Sequence, residues 1–230
     1  IASMLGTDVK FMVYPKKEID SISSALRMAI GDRSAAMKKE QQDFYLKVNK
    51  TSGKSKMERA YEGGIIVKGR VVSTNKSTCF VDVYGKQVQI PKKEMSWRYV
   101  ANVGDVVRNN DIVNVKITDL AVNHETGEID MQASLRAAQE NVVKNNMKLY
   151  SEGTITLGVV TGISNGYWIQ VGDTETGIDV YCKKINCMEL PEVGDTVGVT
   201  LFKMDYENGM TFGSVENIVR RANRWGSVAA

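Results

Sequence analysis

Histidine is almost missing from this chain, and the gap excludes a good deal. The one histidine, His124, sits in the turn-like phrase NHETGE. A histidine-dependent nucleophile and a histidine-rich metal site therefore have nothing to be built from. Cysteine is scarce as well, three in 230 residues. Three cannot all pair within one chain, and Cys79 falls on the apolar side of an alternating stretch, which points to a reducing compartment. Cys182 and Cys187 frame CKKINC without the further Cys or His cluster that would complete a zinc site. No apolar run approaches the roughly 20 residues needed to cross a bilayer. No charged start followed by an apolar core marks a signal peptide. No GxxxxGK loop is present, and the acidic residues scatter over turns and caps instead of pairing for acid–base work. The expectation is a cytoplasmic protein that is not an enzyme, takes no cofactor or metal and avoids membranes. The first residue is Ile1, which suggests a fragment of a longer chain.

What is present is unevenly distributed. The net charge of +3 is mild, yet residues 1–60 carry +5, residues 61–149 carry +2 and residues 150–230 carry −4. A basic front and an acidic rear imply different partners.

Self-similarity organises the rest. YEGGIIVKGRVV at 61 and YSEGTITLGVVT at 150 begin alike, 89 residues apart, and VGDVV at 103 recurs as VGDTV at 193. Each unit has β-branched runs, a turn (NHETGE or DYENG) and a last short strand, the pattern of small five-stranded barrels in series. The expected divisions are 1–59, the C-terminal part of a first, truncated repeat with a helix and a basic linker; 60–149, a second repeat with a trailing helix; and 150–230, a third repeat with a tail. Between barrels the apolar period lengthens. Residues 33–48 predict a helix capped by Asp32 that shows Met37, Phe44 and Val48 on one face. Residues 135–149 predict another with Leu135, Val142 and Leu149. The composition of 47–59, KVNKTSGKSKMER, reads as a flexible linker.

One hairpin is unusual. In VKGRVVSTNKSTCFVDVYG, residues 67–85, the apolar side is Val67, Val71, Val81 and Val83. The other side sets Lys68 and Arg70 beside Phe80, Asp82 and Tyr84. An ordinary half-buried hairpin does not need cations next to rings.

The phrases GRVVSTNKSTCFVDVYG, VQIPKKEMS and VGDVV, with VVTGISNGYWIQVG and VGDTV behind them, resemble the RNA-binding repeat of the ribosomal protein called S-one. The resemblance covers both complete repeats and implies tandem OB-type barrels, mostly β, joined by helices. It also implies RNA lying across strands two and three on exposed aromatics ringed by basic groups. Phe80 falls at the family's second stacking ring, and Trp168 at the same place in the next repeat. Lys68 and Arg70 would then meet phosphate, and Gln89 would bond a base edge or ribose. Lys92, Lys93 and Arg98, which follow strand three in IPKKEMSWR, either extend that basic groove or are solvated loop charges. The sequence departs from the family pattern at Ser77 and Asn165, where an earlier aromatic is common. Gln89 and Asp179 stand where a histidine is common, and Glu128 and Gly209 where a base is. Sequence-specific readout is not expected.

The third repeat differs from the second. Leu157 stands opposite Lys68 and Val159 opposite Arg70, so its face is apolar around Trp168 and carries Asp179. That composition fits docking on a protein or on a neighbouring part of the chain better than RNA. Trp97 reads as a lid on a barrel. Arg220, Arg221 and Arg224 in the tail fit either an RNA or protein contact or an ordered helix. Three functions follow: a single-stranded RNA binder that also meets a ribosome or a protein through its third repeat, a protein-binding OB scaffold, or the accessory arm of an RNA-processing enzyme.

Overall fold

The computed structural model describes residues 8–13, 31–173 and 175–222. The chain is mostly β and divides into two units, one running to Met95 and resuming over Asn102–Gln139, the other made of Ser96–Ala101 and the chain from Glu140 onward. In the first unit, β1 (Met12–Val13) and β2 (Gly31–Asp32) form a short antiparallel ladder. A five-stranded sheet follows, of β3 (Ile66–Thr74), β4 (Thr78–Val83), β5 (Lys86–Pro91), β6 (Ile112–Val122) and β7 (Ile129–Ser134), in the order β5-β4-β3-β6-β7. In the second, β8 (Ile155–Ile163), β9 (Tyr167–Val171), β10 (Ile178–Ile185), β11 (Thr196–Asp205) and β12 (Met210–Arg220) repeat that order and close into a barrel through parallel pairing of β10 with β12. Both units are OB-type. Arg220 is thus a strand residue, while Arg224 lies outside the described residues.

The expected inner set is inside. Val67, Val71, Val81 and Val83 are buried, as is Cys79, whose thiol burial pushes up to about 12. Tyr84 and Gly85, at φ 50° and 83°, make the two-residue turn between β4 and β5, the left-handed pair that suits hairpin twist. Asp82 accepts the Gly85 N–H at 2.8 Å, and Gln41 donates to the Gly85 carbonyl at 2.6 Å.

The helices correct the sequence reading in phase. Helix α1 (Arg33–Gln41) is capped by Asp32, which accepts the Ala35 N–H at 2.9 Å. It then widens into a π turn over Gln42–Leu46, closed by Lys47 N–H to Gln42 O at 2.8 Å. The wider turn rotates the face, so Ala36 and Tyr45 are buried and Val48 is exposed. The Tyr45 hydroxyl donates to Val83 O at 2.7 Å. Residues 135–149 are not one helix. Leu135 is buried, but Asn141 caps a new start by accepting the Lys144 N–H at 3.0 Å, and α3 (Val142–Asn146) buries Val143 and then Met147 while Val142 and Leu149 face out. The flexible linker is also wrong for its second half: α2 (Lys56–Glu62) is fixed by a capping box between Ser55 and Glu58, with Ser55 and Met57 buried.

The matching VGD phrases are not equivalent in space. Val160 donates to Asp195 O and accepts from Gly194, at 2.9 and 2.8 Å. Val71, its counterpart on β3, makes the same pair with Asp111 and Asn110, both at 2.9 Å. Asn110 and Gly194 share positive φ, 74° and 92°. Asp111 therefore matches Asp195, and the VGD at 103–105 is a 3-10 turn inside a connection, 92–111, about twice as long as its counterpart 186–195. Ser55→Ala removes the cap of α2 and should lower stability by about 1 kcal/mol. Urea denaturation of the chain measures this, and an unchanged midpoint would show that 55–62 is not held as described.

Candidate nucleic-acid interface

Alternation alone would send Lys68, Arg70 and then Val72 outward along β3. A bulge between Val71 and Ser73 interrupts it, so Val72 is buried with Val71 and Ser73 comes to face Phe80. The outer face then carries a row Ser73–Phe80–Gln89 across β3, β4 and β5, and behind it a row Arg70–Asp82–Gln87. Phe80 is half-buried and Gln89 exposed. Lys92 begins the turn after β5, and its N–H bonds Ser77 O at 2.8 Å, which keeps that turn beside the β3–β4 connection.

The two cations on β3 are not alike. Lys68 is exposed, whereas Arg70 Nη1 reaches the Asp8 carboxylate at 3.2 Å, and the Asp8 N–H is held by Asn110 Oδ1 at 2.6 Å. Lys10 pairs with Glu40 on α1, and Tyr84 stacks on Phe44 at 4.0 Å. A shallow cleft on this side is lined by Lys68, Arg70, Asp82 and Tyr84 together with Asp8 and Glu40. Burial pushes the Asp82 carboxyl up, against the Gly85 N–H, and the charge of Glu40 adds to the rise. The Lys68 end of the face is therefore mixed in charge, and the Phe80–Gln89 end is its open part. Arg98 does not join these residues. It belongs to the second unit, where its guanidinium donates to Gly177 O at 3.2 Å.

The second unit builds the same face differently. Its register puts Leu157 and Val159 where β3 has Lys68 and Arg70, and Gly162, across a matching bulge, where β3 has Ser73. Leu157 is 57% and Val159 42% exposed, beside Ile155 at 71%, so an apolar strip faces out along β8. Trp168 pairs across strands with Tyr181, not Asp179, and Tyr181 with Phe212, giving an aromatic row over β9, β10 and β12. Tyr99 lies on the end of that row, stacked on Trp168 at 4.7 Å and 14°. Asp179 accepts the Tyr99 N–H at 2.6 Å. Burial pushes the Asp179 carboxyl up, and the Tyr99 N–H and the charge of Arg98 oppose this. Trp97 packs against the barrel core. Arg221 pairs with Glu189 and, at 2.8 Å, with the buried Asp195.

Tyr99, Tyr181 and Phe212 were missed in the sequence. Counting strand alternation outward from the connection at 172–177 would have placed Tyr181 beside Trp168. Nothing local predicts Tyr99, which comes from a different repeat.

Residues 61–133 match the family model described as S1 RNA binding domain, the S-one repeat that the sequence resembles. The chain is similar to small ribosomal subunit protein bS1 of Mycolicibacterium smegmatis, 26% identical over 170 residues that cover 71% of this chain and 34% of that protein. The protein of the same name from Staphylococcus saprophyticus is 24% identical over 67% of this chain and 40% of its own length. The chain thus spans about a third of the curated relatives it matches. Among solved structures it is similar to a chain of the a/eIF2alpha-aDim2p-rRNA complex from Pyrococcus horikoshii, 20% identical over 37% of this chain and 58% of that one, at a TM-score of 0.28. The apo form of Mycoplasma genitalium RNase R gives 12% identity over 68% of this chain and 22% of that one, at 0.24. Scores this low do not establish a shared fold.

Asp179→Asn keeps an acceptor for the Tyr99 N–H while removing a half-buried charge. Because the folded carboxyl titrates above its ordinary value, the stability it contributes is present at low pH and lost as pH rises through that raised value. The variant should melt higher than the wild type at pH 7, and the gap should shrink as pH falls through the raised value and be closed once pH reaches the ordinary carboxylate range, about 4. Melting curves across that range decide it, and a lower melting temperature at pH 7 would show that the negative charge itself holds the contact.

Proposed function

We propose that this chain binds single-stranded RNA, largely without regard to sequence and without catalysing a reaction, through the middle repeat. The observation that carries this reading is the placement of half-buried Phe80 beside exposed Gln89 on the open face of the segment matching the S1 RNA binding domain. A ring in that setting stacks any base, and an amide beside it bonds a base edge or a ribose. Lys68 and Lys92 supply phosphate contacts from either side. Arg70 joins them when a phosphate replaces the Asp8 carboxylate, a small loss because the Arg70–Asp8 pair is exposed and such pairs are worth about 0–1 kcal/mol. Arg98, a residue of the second unit that donates to Gly177 O, is given no role in this proposal. The functional divisions follow the repeats, 60–149 and 150–230, preceded by 1–59.

The relatives' name, ribosomal protein, supports a cytoplasmic setting with ribosomal RNA or a ribosome as neighbour. The third repeat serves a protein contact through the strip at Leu157 and Val159, whose exposed apolar area has no use for phosphate. That strip also favours a second reading, in which the chain is a scaffold or an accessory arm within a larger assembly.

Fluorescence anisotropy of labelled single-stranded RNA, titrated with the whole chain at several salt concentrations, separates the two. RNA binding should show a log–log salt slope of about −2, as three phosphate contacts at about −0.7 each give. Phe80→Ala should weaken it by roughly 5- to 150-fold, the equivalent of one lost stack at about 1–3 kcal/mol. Absence of binding at low salt would end the RNA reading and leave the scaffold.

A further inference from the structure

We propose that Ser96–Ala101 is a built-in occupant of the third repeat's base-stacking position, with Tyr99 lying on Trp168 where a nucleobase would lie. The inference rests on the RNA-binding reading of these barrel faces. It explains why one chain would carry two similar faces and use only one for RNA.

Four contacts hold the segment in place. The Tyr99 ring is parallel to the Trp168 indole within 14° at 4.7 Å, the geometry of a stacked base. The Tyr99 N–H is 2.6 Å from the Asp179 carboxylate. Arg98 holds the Gly177 carbonyl at 3.2 Å, and Trp97 packs against the barrel core. Gly162 is the residue across from Trp168 on β8, and a Cβ there would lie 2.4 Å from the Tyr99 ring. Its counterpart Ser73 keeps a side chain, and no ring covers Phe80 among the described ring contacts. A bare backbone opposite the indole is therefore part of how the segment fits.

Asp179 makes the position selective as well as closed. Its carboxylate is satisfied by a backbone donor, and a phosphate brings none and would be repelled. An occupant on a short tether also competes at an effective concentration of about millimolar. RNA held by one weak stack at micromolar concentration cannot displace it. The third repeat is silent toward RNA because its site is filled from within the chain.

Tyr99→Ala tests this cleanly, since it removes the ring and leaves the N–H that caps Asp179. Single-stranded RNA binding is measured by anisotropy on the whole chain carrying Phe80→Ala, so that the middle repeat contributes little. Adding Tyr99→Ala should raise affinity about fivefold or more, one stack regained, and adding Trp168→Ala as well should remove the gain. An unchanged affinity, with circular dichroism and melting showing the second unit folded, overturns the proposal and makes Tyr99 an ordinary structural lid. Should Tyr99→Ala fail to fold, Tyr99→Leu, which keeps an apolar side chain and the N–H but cannot stack as a ring, takes its place in the same titration, with the same gain expected and an unchanged affinity overturning the proposal. The outcomes are separable from the broader reading. If Phe80→Ala weakens RNA binding and Tyr99→Ala changes nothing, the occupant falls and the RNA reading stands. If Phe80→Ala has no effect while Tyr99→Ala raises affinity, the middle site falls and the occupant stands.

Discussion

Both candidate faces depend on a bulge in the first strand of each barrel. A strand sends alternate side chains to opposite faces, so the outward set is fixed by parity until an extra residue shifts it. Between Val71 and Ser73, and again between Val160 and Gly162, one residue is added and the parity flips. Just before the bulge, Val71 and Val160 stay paired with Val81 and Ile169 on one side and on the other bond the loop preceding a later strand, where Asn110–Asp111 and Gly194–Asp195 receive them. Because of that shift, the residue opposite the aromatic is Ser73 in one barrel and Gly162 in the other. A straight strand would have put Val72 on the surface and Ser73 in the core.

Given identical topology, the two faces are separated by charge and by what covers them. Lys68 and Arg70 need solvent or anions; Leu157 and Val159, at the same register, need neither. In the first unit the cover is ionic and of both signs: Asp8 pairs with Arg70, and Glu40, which pairs with Lys10, lies in the adjoining cleft with Arg33. The Arg70–Asp8 pair is exposed, where Coulomb attraction is screened and a competing anion finds little resistance. In the second unit the covering group is an aromatic ring on an aromatic ring, backed by a hydrogen bond to a carboxylate that is largely out of water. Such a contact is insensitive to salt. The first arrangement is exchangeable and the second persistent, although both occupy the outer face of the same barrel.

The sequence carried the barrel pattern well because period-two alternation survives on its own. Val67, Val71, Val81 and Val83 are inside as their spacing requires, and Phe80 and Gln89 are neighbours on the outer face. Helical phase was less legible. A π turn after Gln41 moved the buried position to Tyr45, and a cap at Asn141 broke 135–149 so that Val143 and Met147, four residues apart, were buried in place of Val142 and Leu149. A basic composition hid the capping box at Ser55, since four lysines and an arginine in 47–59 say nothing of which backbone groups need partners. The repeated VGD misled for a different reason. The phrase was real, but equivalence is decided by which backbone the loop bonds, and that is Asp111 with Asp195.

This register also accounts for Tyr99. Once Asp111 is matched to Asp195, the connection from β5 to β6 has surplus chain relative to that from β10 to β11. The surplus holds Ser96–Ala101, and the 3-10 turn at Val103–Asp105, with Val103 buried and its N–H on Lys76 O, brings the chain back to its own barrel. Surplus loop length costs little, because closure entropy grows only logarithmically with length. In exchange, a ring is placed on Trp168, a donor on Asp179 and an indole on the barrel core. A short loop of the kind found at 186–195 has no residues to spare for this, so the asymmetry between the repeats lies in the length of one connection as much as in the residues of either face.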